Sequence, residues 1–357
     1  MKNNLRRIHR WLSVILAIFW LLQGLTGALL VFQGELDQAS IDRETHPLDV
    51  AALGRAIAEA QADNPDRRIP YVYASRGNPD RFDIYLVDGE GKSRIRHVDG
   101  DGAVLRERPS NHDFLNAGIL KIAHTWHETM FAGEWSAWLV GTSGFLLLTN
   151  LILGLKLAWP QAGRWGRALA PAKAKGGAAK AYGWHRALGL WLGIPAILIV
   201  TTGILQVWGG PLYDWLGPVS ASPTVTRTGD PAAVPVSPDA AIETALARYP
   251  GARLSILTMP RADAYWYRVT IRQPEEPRRI FGTTQVYVDA ANGQILADHD
   301  ALKEGPGPAF LNAIYPIHTG EYVGTIGRVI VLVIAIWLVS MVCLGIYLWW
   351  ARAALRR

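Results

Sequence analysis

Four of the nine histidines in this 357-residue chain recur at matching positions of an internal repeat. His9 lies in Ile-His-Arg-Trp-Leu, and His185 lies in Trp-His-Arg-Ala-Leu, 176 residues later. His127 and His318 each lie six residues before a glycine that precedes a hydrophobic stretch. Neutral imidazole is a good ligand for iron, copper and zinc. Two sets of equivalent histidines therefore predict two metal-binding positions.

Four uncharged stretches, each long enough to span a membrane, follow these histidines. A helix needs about 20 apolar residues to cross a bilayer. The stretches are residues 11–32, 136–155, 187–213 and 329–350. The sequence therefore predicts an α-helical integral membrane protein, a four-helix transmembrane bundle, with one repeated histidine at the entrance of each span.

The distribution of charge predicts how the spans are oriented. Residues 1–10, 156–186 and 351–357 carry 14 basic and no acidic residues, whereas the rest of the chain carries 22 basic and 30 acidic residues. Cytoplasmic loops of membrane proteins concentrate Lys and Arg. We expect cytoplasmic termini and a cytoplasmic middle loop, with residues 34–135 and 214–328 outside. The net charge of +6 therefore reflects a lipid bilayer as partner and not a nucleic acid.

The repeat extends beyond the histidines and gives both halves the same order of elements. Each half reads as a span, an outer segment, a histidine-bearing approach and a second span. The halves run parallel, so we expect a pseudo-twofold axis along the membrane normal. The other matching segments are residues 25–29 with 201–205, 97–105 with 287–296, and 114–117 with 310–313.

Each outer segment has the pattern of one helix followed by short antiparallel strands. We therefore expect two small α+β modules, each with its own sheet. In the first, the helix covers residues 50–62 and the strands 68–74, 81–87 and 93–98; in the second, the helix covers 238–249 and the strands 254–259, 265–272 and 284–288.

These patterns divide the chain into seven segments. They are the cytoplasmic N-terminus with the first span (1–33), the first periplasmic module (34–110), a histidine-bearing approach with the second span (111–159), a basic cytoplasmic loop (160–184), the third span (185–213), a periplasmic linker with the second module (214–305), and a second approach with the fourth span and cytoplasmic tail (306–357).

Paired histidines in a helical bundle are typical of a haem site. Cofactor ligands in bundles project inward from facing helices, so two symmetry-related imidazoles would supply both axial ligands of one iron. Two b-type haems, one near each face, would carry electrons across the bilayer. The single cysteine, Cys343, excludes a Cys-ligated cluster and covalent haem attachment. Zinc is the alternative metal, although a structural zinc site has four protein ligands. The repeat thus predicts the pairs His9 with His185 and His127 with His318, although the sequence leaves open ligands shared between adjacent helices.

Several other polar residues are weaker candidates. His124, three residues before His127, is a surface residue, a propionate contact or an extra ligand. Gln23 and Asn150 lie within spans and should face the protein interior. Arginines of the outer segments are either solvated or attract an anionic ligand; they are Arg76, Arg81, Arg94, Arg106, Arg108, Arg278 and Arg279.

The sequence resembles the PepSY-associated transmembrane family over nearly its whole length. The resemblance rests on residues 9–12 (His-Arg-Trp-Leu), residues 25–28 (Leu-Thr-Gly-Ala), the strand-turn-strand at residues 287–296, and His127 and His318 before their glycines. Within the family, the layout is similar to the inner-membrane ferric-siderophore reductases of bacterial iron uptake. That resemblance implies PepSY-like periplasmic modules, haem ligation by the four repeated histidines, and reduction of siderophore-bound Fe(III) in the periplasm.

Two functions of different classes follow. The first is an oxidoreductase that takes electrons from a quinol or a cytoplasmic reductase and reduces a ferric siderophore. The second is a non-enzymatic, membrane-anchored binding or regulatory protein for a peptide, a protease or an envelope partner. Haem content distinguishes them. Transport is disfavoured because the spans carry no charged residue along a pathway.

Overall fold

The computed structural model describes residues 2–109, 118–170, 176–210 and 234–354. The chain forms two compact units, each built from segments that are distant in the sequence. The helical unit comprises Met1–Val31, Ala123–Leu212 and Ile314–Arg357, and the sheet unit comprises Phe32–Ile122 and Tyr213–Ala313.

The described residues form eleven α-helices, most of them in the helical unit. They are α1 (Lys2–Ile15), α2 (Ala17–Leu30), α3 (Gln33–Gln38), α4 (Val50–Asp63), α5 (Gly118–Thr129), α6 (Ser136–Ala158), α7 (Trp165–Leu169), α8 (Gly177–Trp208), α9 (Pro238–Arg248), α10 (Pro306–Thr319) and α11 (Gly324–Ala354).

Three helices in the described residues are long and apolar enough to cross a membrane. They contain α6, α8 and α11, and α1 with α2 makes a fourth candidate if the two count as one span. The sequence predicted an uninterrupted first span, but α1 and α2 are bent by 65° around Leu16. The Ser13 hydroxyl donates a hydrogen bond to the His9 carbonyl at 2.8 Å. Such bonds to a carbonyl one turn earlier often bend helices.

Apolar side chains hold the helical unit together. α6 packs along α8, and α11 packs along both α2 and α8. Trp20 of α2 is buried with Leu147 of α6 and Val342 of α11, while Trp337 of α11 is buried with Ala196 of α8. The contacts α6–α8 and α2–α11 are equivalent under the sequence repeat, so the helices follow the expected internal symmetry.

The sheet unit contains one antiparallel sheet of eight strands, in the order β4-β3-β2-β1-β5-β6-β7-β8. The strands are β1 (Tyr71–Ser75), β2 (Asn78–Val87), β3 (Ser93–Asp99), β4 (Val104–Pro109), β5 (Arg253–Thr258), β6 (Trp266–Arg272), β7 (Thr284–Asp289) and β8 (Ile295–His299).

The expectation of one separate sheet per half is corrected by this topology. β1 pairs with β5, with Tyr71 opposite Thr258 and Val72 opposite Leu257, so the two halves share a single sheet. Each half also has a fourth strand beyond the three that the sequence delimited, although the strand-turn-strand at residues 287–296 already indicated the start of β8. Half of the six residues of β4 are charged and β8 has only five residues, so neither shows the alternating apolar pattern on which the strand prediction rests.

Two helices of the sheet unit, α4 and α9, cover one face of the sheet. Leu53 and Ile57 of α4 and Ile242 of α9 are buried against apolar residues of the strands, including Val72 of β1 and Leu257 of β5. Because successive residues of a strand point to opposite faces, the neighbours of those buried residues point to the other face of the sheet.

Candidate functional site: two pairs of histidines

The first pair of histidines joins α1 to α8. The rings of His9 and His185 have centroids 6.3 Å apart and planes inclined by 64°. His9 also contacts α6, where its Nδ1 lies 3.1 Å from the carbonyl oxygen of Asn150. The Asn150 side chain is held in turn, because its amide donates a hydrogen bond to the Ser13 hydroxyl at 3.0 Å.

The second pair joins α5 to α10. The rings of His127 and His318 have centroids 6.3 Å apart and planes inclined by 45°. His127 Nδ1 lies 3.1 Å from the Thr26 hydroxyl oxygen of α2. His318 Nδ1 lies 2.9 Å from the carbonyl oxygen of Ile199 in α8. The two pairs are therefore equivalent in ring spacing, and each joins two helices that are related by the repeat.

Hydrogen bonds to Nδ1 assign the tautomer of three of the four rings. A carbonyl oxygen only accepts hydrogen bonds, so Nδ1 of His9 and of His318 carries the proton. The Thr26 hydroxyl donates to the Leu22 carbonyl at 2.8 Å, so it accepts from His127. Nε2 is then left unprotonated, with its lone pair free. Histidines that bind metals are typically oriented by such a bond from the other nitrogen.

His185 differs from the other three histidines. Its Nδ1 is buried, and no hydrogen-bond partner for it lies among the described residues. A buried polar atom without a partner costs free energy. His185 therefore has a buried Nδ1 whose hydrogen-bonding capacity is not satisfied by the described residues.

Every one of the four rings lies against a glycine of a neighbouring helix. A Cβ atom built on Gly154 would lie 3.0 Å from Cε1 of His9. The corresponding distances to Cε1 are 3.1 Å from Gly27 to His127, 2.9 Å from Gly203 to His318 and 3.9 Å from Gly345 to His185. A side chain at the first three positions would push the imidazole out of place, so the glycines make room for the rings.

The spacing of each pair fits two ligands on opposite sides of one metal ion. With a metal–nitrogen distance of about 2.0 Å, as in zinc sites, two such imidazoles have ring centroids about 6 Å apart. Around these pairs, the described residues offer no third histidine, cysteine or carboxylate close enough to join them. That donor set does not fit a structural zinc site. It fits a haem, which brings its own four nitrogen ligands.

The one cluster of three potential metal donors among the described residues lies elsewhere, in the sheet unit. It contains His46, Asp99 and Asp101. Burial alone would raise the pKa of Asp99, but hydrogen bonds from His46 and Arg81 hold it below its usual value. Arg43 lies 2.6 Å from Asp101. These carboxylates are thus neutralised by cationic side chains, and the cluster is structural.

The remaining histidines are engaged outside the two pairs. Nε2 of His124 lies 3.0 Å from the Glu128 carboxylate, so His124 is oriented toward its own helix. His97 lies 2.6 Å from Asp83, and His299 lies 2.7 Å from Glu304. His112 lies outside the described residues.

Sequence reasoning found the histidines but not the residues that position them. Gln23 and Asn150 were expected to face inward, and both do: the Gln23 amide donates to the His127 carbonyl at 2.8 Å, and Asn150 is buried. Thr26 was not assigned a role, and the glycines within the spans were interpreted as sites of close helix packing or as room for a flat macrocycle, not as neighbours of the histidine rings. The repeat could have indicated these glycines. Gly27 and Gly203 are separated by 176 residues, like His9 and His185, and Gly154 and Gly345 are separated by 191 residues, like His127 and His318.

A comparison with known protein families gives a match over nearly the whole chain. The family model described as PepSY-associated TM region matches residues 6–352, which includes both pairs of histidines and both units. No curated protein matches the chain.

Proposed function

This chain belongs to the PepSY-associated transmembrane family, and on that premise we propose that it is a four-span oxidoreductase of the bacterial inner membrane. It passes electrons across the bilayer and reduces a ferric siderophore in the periplasm. The spans form a four-helix bundle, the termini are cytoplasmic, and the sheet unit is periplasmic and PepSY-like.

The observation that carries the proposal is the geometry of the histidine pairs. His9 with His185 and His127 with His318 would each hold one b-type haem without a covalent bond, through Nε2 of each ring. A haem held in this way exchanges one electron at a time between its ferrous and ferric states. The hydrogen bonds to Nδ1 keep Nε2 available, and the glycines keep the rings in place.

The overall reaction transfers one electron from a donor to each Fe(III) ion. A reduced donor, either a quinol or a cytoplasmic reductase, gives up one electron, and one chelated Fe(III) becomes Fe(II). Siderophores hold iron through hard oxygen donors, which favour Fe(III), so reduction weakens the chelate and releases the metal. The protein's own contribution is to bind the redox centres, shield them from water and bring the chelate to the outer side.

A visible spectrum of the purified protein, recorded before and after dithionite, tests the proposal. We expect a red protein with two haems per chain after expression with haem supplied. The His9→Ala and His318→Ala variants should each lose one haem, because one axial ligand is missing. The His124→Ala variant is the matched control and should retain both haems.

Double variants test the pairing. His9→Ala combined with His185→Ala removes two ligands from one pair and should lose no more haem than either change alone. His9→Ala combined with His318→Ala should lose both haems. A colourless wild-type protein would rule out the oxidoreductase and favour the membrane-anchored binding protein. Full haem content in both single variants would show that the ligands are misassigned.

A further inference from the structure

One face of the eight-stranded sheet carries a cluster of aromatic side chains at its centre. Val72 and Ala74 of β1 point into the core beneath α4 and α9. Because side chains alternate along a strand, Tyr71 and Tyr73 point to the opposite face. Tyr71 is 39% exposed, so its ring is accessible to solvent on this face.

Tyr73 lies at the centre of this cluster. Its ring centroid is 5.8 Å from that of Tyr71, 5.3 Å from that of Tyr85 and 5.6 Å from that of Phe281. These distances are within the range of favourable aromatic contacts. Phe281 comes from the second half of the chain, between β6 and β7, so the cluster exists only because the two halves share one sheet. We refer to these four residues as the tyrosine cluster.

Two arginines without acidic partners flank the tyrosine cluster. Arg268 of β6 is opposite Thr258, which is opposite Tyr71, so all three lie on one face. Burial and the neighbouring Tyr71 raise the pKa of Tyr73, and Arg268 opposes that rise. No carboxylate in the described part of the chain lies within 4.0 Å of Arg268 or of Arg76.

Arg76 directly follows β1, the strand that carries Tyr71 and Tyr73. Burial raises the pKa of Tyr85 to about 12, with added contributions from Asp83 and Tyr73, while Arg108 and Arg76 oppose it. Arg108 is neutralised by Asp37 at 2.8 Å.

The Asp83 carboxylate, which lies on the same face, is already engaged. It accepts a hydrogen bond from Ser75 and lies beside His97. The positive charge of Arg76 and Arg268 is therefore the charge left unpaired at the cluster.

The phenol groups of the cluster have unused hydrogen-bonding capacity. Among the residues that the structure describes, none forms a hydrogen bond with the hydroxyl of Tyr71, Tyr73 or Tyr85. Arg268 donates one hydrogen bond to the Thr258 hydroxyl at 3.4 Å. The three phenols, the Arg76 guanidinium and the other donors of Arg268 thus remain available for a ligand. Guanidinium groups bind anionic oxygens and stack on rings, and phenol rings stack on other planar rings.

We propose that the tyrosine cluster, with Arg76 and Arg268, binds the ferric chelate and selects chelates whose iron ligands are catecholate or phenolate arms. This inference rests on the proposed function. Ferric catecholates are strongly anionic and present flat aromatic rings on their outside. Hydroxamate chelates of Fe(III) carry little net charge and have no rings at the metal, so they match neither the arginines nor the tyrosines.

Binding of gallium(III) complexes by the full-length protein in detergent tests the proposal. Gallium(III) has the coordination chemistry of Fe(III) but is not reduced, so binding is measured independently of electron transfer. Isothermal titration with gallium(III)–2,3-dihydroxybenzoate should show binding, and gallium(III)–acetohydroxamate should bind at least about tenfold more weakly. Equal affinity for both complexes would overturn the selectivity.

Substitutions locate the site. Arg268→Gln and Tyr73→Leu should each weaken binding of the gallium catecholate about tenfold or more, through loss of a charged contact and of a stacking ring. Tyr73→Phe retains the ring and should bind more tightly than Tyr73→Leu. Arg55→Gln is the matched control, because Arg55 is an exposed arginine on α4, which covers the other face of the sheet.

The outcomes separate this inference from the proposed function. A protein that contains haem but whose gallium catecholate binding is unaffected by Arg268→Gln and Tyr73→Leu would overturn the site while leaving the oxidoreductase intact. A colourless protein that binds the gallium catecholate and loses that binding in the variants would support the site and refute the electron transfer. Binding lost equally in Arg55→Gln would also overturn the site.

Discussion

The four glycines next to the histidine rings leave different amounts of space for an added methyl group. Substitution by alanine can therefore test how closely each ring is packed. Gly203 leaves 2.9 Å between a new Cβ and His318, whereas Gly345 leaves 3.9 Å beside His185. The first distance requires the ring to move, and the second is ordinary van der Waals contact. His318 is also held at Nδ1 by the Ile199 carbonyl, so its ring has little freedom to adjust.

We predict that Gly203→Ala weakens haem binding at the second pair and that Gly345→Ala does not affect the first. Overpacking a fitted site costs about 1–3 kcal/mol, enough to lower occupancy of one haem measurably. Haem per protein, taken from absorbance after purification, is the measurement. If Gly203→Ala and Gly345→Ala have the same haem content, the close approach of Gly203 to His318 is not important for the site.

Sequence alone could identify these residues only in part. The histidines were recognisable because the repeat preserves them at fixed offsets among nine candidates. The repeat also predicted their pairing, but sequence could not exclude ligands shared between adjacent helices, because that depends on which helices face one another. The Asn150 and Ile199 carbonyls that orient two of the rings belong to the backbone, which no residue pattern reports. Thr26 carried a signal through its repeat partner Thr202, whose hydroxyl lies 3.4 Å from His318 Nδ1.

At the scale of elements, the close approach of α4 to α9 determines how both helices cover the sheet. A Cβ on Gly54 of α4 would lie 2.7 Å from a carboxylate oxygen of Asp239 and 2.8 Å from its Cβ, in the first turn of α9. The two helices come from different halves of the chain. Their contact therefore adds to the β1–β5 pairing in holding the halves of the sheet unit together.

We predict that Gly54→Ala lowers the stability of the sheet unit. Ala is favoured over Gly in an open helix by about 1 kcal/mol, but the new methyl group would overlap Asp239, and overpacking costs about 1–3 kcal/mol. Gly166→Ala in α7 is the control, because no atom lies within 4 Å of its added Cβ. Thermal unfolding of the full-length protein should show a lower midpoint for Gly54→Ala alone; a rise in both variants would contradict the close contact.

The spans, the two module helices and most strands could be predicted, because they follow apolar patterns, whereas the shorter helices α3 and α7 were not predicted. The helix predicted at residues 50–62 is α4, Val50–Asp63, and the strand predicted at 284–288 is β7, Thr284–Asp289. The union of the two sheets could not be predicted. The two sheets join because β1 pairs with β5 edge to edge. The residue pattern of an edge strand is the same whether or not another strand pairs with it, so the sequence does not indicate this pairing. The bend at Leu16 was hidden because Ser13 is compatible with a straight helix.

At the scale of the whole molecule, the charge asymmetry of the chain favours the topology that the proposed function requires, with the sheet unit on the periplasmic side. The basic segments without acidic residues belong to the helical unit, and the acidic residues are concentrated in the sheet unit. Membrane proteins retain Lys-rich and Arg-rich segments in the cytoplasm. The sheet unit should then face the periplasm, where a ferric chelate would arrive.

We predict that a cysteine in the sheet unit is labelled from outside and one in the basic loop is not. Cys343 is the only cysteine, so Cys343→Ala gives a background free of thiols. In spheroplasts, a membrane-impermeant maleimide should label Asp263→Cys, at an exposed turn, directly. It should label Gln161→Cys, between α6 and α7, only after permeabilisation. The reverse pattern would invert the topology.

The pairing of β1 with β5 also means that β1 is synthesised well before the strand with which it pairs. β1 ends at Ser75 and β5 begins at Arg253, so β1 leaves the ribosome roughly 180 residues before its partner. At about 5–20 residues per second, translation leaves that edge of β1 unpaired for about 10–40 s. An open strand edge is a template for pairing with another chain. In a nascent chain, β1 is therefore the strand most exposed to pairing with another copy of the chain, although it lies in the middle of the completed sheet.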